Sequence, residues 1–220
     1  MNRTVSRLGF LIFIFILFII SGGCIKEIDR PVKIDFTNYF PLNVDDWRQF
    51  SGPLGKSIVT AQTNEIYTFS YFDSLDQLIG WKDFVQCESG TYLKNIISIS
   101  PDLPSVFYEP AFRFSPWSNI IGDTLFQTST EISLDSNNSH LNVMVGYEIA
   151  EIGMVSCPAG TFPNCIKVEI DYTAPDETEN KVYDGTTVWW FAPGIGVVKY
   201  EAFGTSGELL SAKIDGVSYP

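Results

Sequence analysis

Hydrophobic and polar positions alternate with a period of two along most of this chain, the pattern of strands with one face buried. The clearest case is Ile166–Asp171, with Ile166, Val168 and Ile170 on one face and Lys167, Glu169 and Asp171 on the other. That strand leaves a corner, Pro158-Ala-Gly-Thr-Phe-Pro-Asn164, which Cys157 and Cys165 bracket. Val155–Tyr172 therefore reads as a hairpin, expected to sit beside Val182–Phe203 in one sheet. Further strands are predicted over Lys56–Gln62, Ile66–Phe72, Trp81–Cys87, Tyr92–Ser100, Thr124–Leu134, Leu141–Ile152, Val182–Ala192, Val197–Phe203 and Glu208–Val217, with turn residues between them. Helix signals are scarce, and Ser74–Gly80 is the best candidate. Residues 101–118, broken by Pro101, Pro104, Pro110 and Pro116, are expected to form an irregular aromatic connection. The expected fold is mainly β: a single antiparallel, strongly curved sheet, half-barrel or sandwich-like, with little helix.

The N-terminus departs from this pattern. Arg3 and Arg7 precede the unbroken apolar run Phe10–Ile20, which suits a signal peptide and is short for a membrane span. Ser21-Gly22-Gly23-Cys24 follows and resembles the bacterial lipoprotein signal, with Ser21 where Leu is usual. The expected organisation is a lipoprotein signal peptide over 1–23, an acylated Cys24 with a tether over 24–37, and one β-rich domain over 38–220. Lys26-Glu27 resembles loosely the Lys-plus-acid export tag of surface lipoproteins in the Bacteroides group; a solvated tether is the better account of it.

Charge narrows the partners. Without Arg3 and Arg7 the 14 basic side chains fall to 12 against 26 acidic ones, a net charge near −14. That argues against nucleic acid and against electrostatic binding to anionic headgroups. The expected attachment is to a lipid membrane through acylated Cys24, in the cell envelope, and at the outer membrane if the cell has one. In an oxidising compartment Cys157 and Cys165 are the favoured disulfide pair, with Cys87–Cys165 as the alternative.

Catalytic and metal chemistry find little support. Gly52–Ser57 carries the tail of a P-loop, but Phe50 stands where the first glycine belongs. His140 is the only histidine and follows a polar turn, and no Gly-x-Ser-x-Gly elbow accompanies it. No zinc-ligand spacing occurs, and residues 174–180 lack the order of a calcium loop. No cofactor and no metal are expected. The aromatic residues are the strongest positive signal. Phe112, Phe114 and Trp117 lie in the proline-broken segment. The adjacent Trp189 and Trp190 must point to opposite faces of a strand. These five are the candidate lining of an apolar groove.

Four stretches, in order, resemble a family of bacterial lipoproteins. They are Tyr39-Phe-Pro-Leu42 with Trp47; Pro116 with Gly122-Asp-Thr124; Pro158-Ala-Gly-Thr-Phe162 with Cys165-Ile-Lys-Val168; and Trp190-Phe-Ala-Pro-Gly-Ile-Gly-Val-Val-Lys199. Asp45-Asp46 replace the usual glycine before the first tryptophan. The resemblance implies a β-rich extracytoplasmic domain, distantly similar to the periplasmic lipoprotein carriers of the LolA/LolB kind, whose half-barrel sheet encloses an apolar groove. It carries no catalytic residues. The expected function is a non-catalytic, membrane-anchored domain that binds or carries an apolar small molecule or lipid. The alternative is an envelope scaffold lipoprotein docking a protein partner. A glycan or peptide hydrolase ranks third.

Overall fold

The structure is a computed structural model that describes residues 34–87, 90–99, 105–115, 120–134, 140–175, 181–202 and 204–220. Its one described helical element is a 3-10 turn, Phe36–Tyr39, capped by Asp35, which accepts from the Thr37 N–H at 3.1 Å. Strands follow in sequence: β1 Trp47–Phe50, β2 Lys56–Thr63, β3 Ile66–Phe72, β4 Leu78–Cys87, β5 Gly90–Ser98, β6 Val106–Arg113 and β7 Thr124–Ser133. Then come β8 His140–Cys157, β9 Gly160–Pro175, β10 Lys181–Ala192, β11 Gly196–Ala202, β12 Thr205–Ile214 and β13 Val217–Tyr219. Each strand pairs antiparallel with the next.

The sheet also closes. β1 pairs with β12, Trp47 opposite Lys213 and Phe50 opposite Leu209, so β1 to β12 form a barrel. The open half-barrel or sandwich expected from sequence is corrected to a closed wall. Local alternation cannot distinguish the two, because closure is decided by one pairing between the ends of the chain. The seam depends on β12 changing partner: Ala202–Lys199 of β11 pair with its first half and β1 with its second. Ser51 extends the seam, donating its N–H to the Glu208 carbonyl at 2.9 Å and accepting the Glu208 N–H on Oγ at 2.9 Å. At Gly207 a side chain would collide with the Ser51 carbonyl oxygen and the Tyr200 ring. Gly207→Val should therefore cost about 1–3 kcal/mol by overpacking the seam, seen as a lowered thermal midpoint. An unchanged midpoint would show that closure tolerates a side chain there.

Inside, most of the wall is apolar. Ile166, Val168 and Ile170 are fully buried, as their alternation predicts, and β9 lies beside β10, with Ile166 opposite Phe191. Outside, Lys167 pairs with Glu169 at 2.8 Å and Lys199 with Glu201 at 3.6 Å. This is the reverse of membrane-spanning barrels, whose apolar band faces outward. No described helix is long and apolar enough to cross a membrane.

Three local expectations are revised. Ser74–Gly80 is a turn running into β4 rather than a helix. The proline-broken segment contains a strand, β6, which accommodates Pro110 within it. The residues before β1, assigned partly to the tether, enter the core. Ile34 and Phe36 are buried, and Phe40 packs among the rings of Phe69, Phe84 and Phe114 at centroid distances of 5.6, 5.3 and 5.3 Å. This segment fills the barrel as a plug. A second cluster forms where the β8–β9 tip meets β12: the Ala159 N–H donates to the Leu209 carbonyl at 3.0 Å, and Phe162 packs near Tyr219.

Candidate functional site

Register across β1–β4 builds one wall of an internal cavity. Arg48 lies opposite Ser57, Ser57 opposite Tyr71, and Tyr71 opposite Gly80. Directly opposed residues share a face, so Arg48, Ser57 and Tyr71 form a polar row pointing inward. Lys82, two residues beyond Gly80 and opposite Phe69, points the same way. All four border a cavity of about 160 Å³. Its other lining residues are mostly apolar or aromatic: Phe40, Phe50, Phe69, Phe84, Leu93 and Ile96 on the near side, Phe112, Phe114, Trp189 and Val197 among those facing them. Trp189 is fixed by donating its indole N–H to Thr187 Oγ1 at 3.0 Å. The cavity therefore has a cationic, hydroxyl-bearing end and an aromatic body.

The two cations differ in support. Arg48 is buried and donates from Nε to the Ile195 carbonyl at 2.7 Å and from Nη2 to the Pro41 carbonyl at 3.3 Å. Its Nη1 is buried without a hydrogen-bond partner. Burial pushes its guanidinium down to about 10, opposed by the nearby Asp46 carboxylate and Tyr71. Lys82 holds its Nζ 5.1 Å from the Tyr71 ring centroid. Burial alone pushes its ammonium down to about 8, with no carboxylate acting against it. Lys82 and Tyr71 are half-buried and border the cavity. Burial likewise raises the Tyr71 hydroxyl above its ordinary value, against the pull of Arg48.

Of the aromatic residues predicted to line a groove, Phe112, Phe114 and Trp189 border this cavity. Trp190 does not. It lies on the outer face, between Lys199 at 4.8 Å and Lys167 at 5.9 Å from its ring centroid, as strand alternation requires once Trp189 turns inward. Trp117 and Cys24 lie outside the described residues, as do residues 176–180 of the acidic loop. The bridge expected between Cys157 and Cys165 is not formed, and both are thiols. The hairpin turns at Pro158-Ala159, so Cys157 faces Gly160 while Cys165 faces Gly153 further along the ladder. Burial raises both thiols above their ordinary value. Cys165 should resist alkylation at pH 8 until the protein unfolds, which timed labelling with mass spectrometry would read; rapid labelling of the folded protein would contradict its burial.

Sequence reading missed Arg48, Tyr71 and Lys82. The available signal was parity. Arg48 shares its face with Phe50, and Lys82 shares its face with Phe84, so each is a cation on an apolar face. Among the described residues, no group of three or more His, Cys, Asp or Glu comes together.

Comparison with known proteins agrees with the fold. The DUF3108-like family model matches residues 120–214, from just before β7 to the end of β12. The crystal structure of a candidate exported protein with a YmcC-like fold from Bacteroides fragilis superposes with a TM-score of 0.52 at 15% identity, over 80% of this chain and 98% of that one. A candidate lipoprotein from Parabacteroides distasonis gives a TM-score of 0.48 at 12% identity, over 82% of this chain and 100% of that one. No curated protein matches. The first likeness gives this chain a YmcC-like fold; at that identity it carries fold alone.

Proposed function

We propose that the protein is a membrane-anchored envelope lipoprotein whose barrel holds an apolar ligand without chemically changing it. The observation that carries this reading is the internal cavity, about 160 Å³ and bordered largely by aromatic and aliphatic side chains. Small-molecule sites are concave and mostly apolar, with few polar groups to fix orientation. A cavity of about this size has room for a benzene-sized molecule. The enclosed part of the ligand is therefore small: a ring or a short alkyl chain. Barrel closure changes the expected mode of binding, since the ligand would be enclosed rather than laid in an open groove.

The location is supported by the resemblance of residues 1–24 to a lipoprotein signal, by the excess of acidic side chains and by a fold shared with a protein described as exported. Acylation of Cys24 would anchor the barrel with its polar outer face in water.

The test is calorimetric. Octanol should bind the full chain in phospholipid nanodiscs, with empty nanodiscs subtracted. Ile96→Trp, which fills the cavity from its lining, should weaken that binding roughly tenfold or more. Absence of octanol binding, or binding indifferent to the added ring, would remove the reading.

A further inference from the structure

The apolar-ligand reading leaves the cationic end of the cavity unexplained, and the following inference rests on that reading. We propose that the ligand is an amphiphile with an anionic head, a carboxylate or a phosphate, seated against Arg48 and Lys82 while its apolar part occupies the aromatic body of the cavity.

The geometry supplies a built site. Arg48, 3% exposed, borders the cavity; its Nη1 is buried without a hydrogen-bond partner, while Nε and Nη2 donate to the Ile195 and Pro41 carbonyls. Two of its nitrogens are thus held by backbone carbonyls, and Nη1 is left unpaired. The Lys82 ammonium lies over the Tyr71 ring and, among the described residues, forms no ion pair. The Ser57 and Tyr71 hydroxyls stand in the same row and add hydrogen-bond donors.

Charge balance points the same way. Asp46 acts on Arg48 through space, but its oxygens are engaged elsewhere: Oδ1 accepts the Asp215 N–H at 2.7 Å and Oδ2 accepts from Asn43 Nδ2 at 3.3 Å. That leaves Arg48 with one nearby carboxylate, engaged elsewhere, and Lys82 without an ion pair among the described residues. An uncompensated buried charge is costly, and a barrel that only needed filling would place an apolar side chain opposite Phe69. An anion brought by the ligand offsets that cost and completes the Arg48 hydrogen bonds. A neutral or cationic guest would leave both penalties standing. The net negative charge of the protein does not oppose this, because the acidic groups outside are separated from the interior by the wall and screened by salt.

The test compares guests of one chain length: octanoate, octyl phosphate, octanol and octylamine. Each is titrated into the full chain in nanodiscs, with empty nanodiscs subtracted and carboxyl-13C octanoate read by NMR. Octanoate or octyl phosphate should bind roughly tenfold or more tighter than octanol, with octylamine weakest. Lys82→Met should remove that advantage while leaving octanol within about twofold, and Lys82→Arg should restore it. Preference for octyl phosphate over octanoate supports the anion site and assigns its head to a phosphate. Equal binding of octanol and octanoate, with Lys82→Met affecting neither, overturns the anionic head but leaves the apolar ligand intact. Failure of all four guests overturns both.

Discussion

Phe40→Ala is expected to lower stability by about 3–5 kcal/mol, the usual cost of emptying a well-packed phenylalanine site. For a domain of this size that is a fall in the thermal midpoint on the order of 10 °C. Phe40 lies outside every strand, yet its ring contacts those of Phe36, Phe69, Phe84, Phe114 and Phe191. Those partners come from the 3-10 turn, β3, β4, β10 and the residue after β6, so one side chain ties the plug to both sides of the wall. Pro41 follows and gives its carbonyl to Arg48. Loosening the plug should therefore disturb the cationic end as well. Scanning calorimetry measures the first effect. A change of less than about 1 kcal/mol would mean that the segment before β1 is not part of the packed core.

Lys82→Met should act in the opposite direction and stabilise the ligand-free protein by about 2–3 kcal/mol at pH 7. Replacing a buried charge with an apolar side chain of similar volume is often favourable. The lowering of the ammonium from 10.5 to about 8 is of that magnitude. The direction with pH follows. The folded state disfavours the charged form, so the cost is fully present below about 8 and is relieved as pH rises from about 8 to 10.5. In that window the unfolded chain binds the extra proton, and stability rises with pH. The advantage of Lys82→Met should accordingly be largest at pH 7 and fall to roughly a quarter of that at pH 10. Urea unfolding of both proteins at the two values reads the difference, in which the titration of groups other than Lys82 largely cancels. A constant advantage across that range would show that Lys82 reaches bulk water. A variant more stable yet poorer at holding octanoate would show that the lysine is kept at a cost to the fold.

Much of the wall was legible in the sequence. Strand alternation marked Ile166, Val168 and Ile170 as inward, and the turn residues after β2 and β10 placed two hairpins to within a residue or two. Closure was not legible, since Trp47 and Lys213 carry no local sign of being neighbours. Nor was β6, because Pro110 argues against a strand and only its partners β5 and β7 hold it in place. The aromatic residues marked out in the sequence were five, of which Phe112, Phe114 and Trp189 border the cavity, Trp190 lies outside and Trp117 is beyond the described residues. The polar end of the site was not marked out, because Arg48 and Lys82 obey the alternation rule in position and break it in chemistry. An aromatic excess says that something apolar is buried; a cation with inward parity says what the interior still lacks.

The seam between β1 and β12 also governs how the chain can fold. Hairpins from β2 to β11 join neighbours in sequence and can form early, at little loop-closure cost. The pairing of Trp47 with Lys213 joins the two ends of the domain and must wait until almost the whole chain is available. Distant pairings of this kind make folding slow and leave sheet edges exposed meanwhile. While the chain is incomplete the first strand would thus remain without its final neighbour until the last long strand arrives, and both edges would stay open to the wrong partner for that interval.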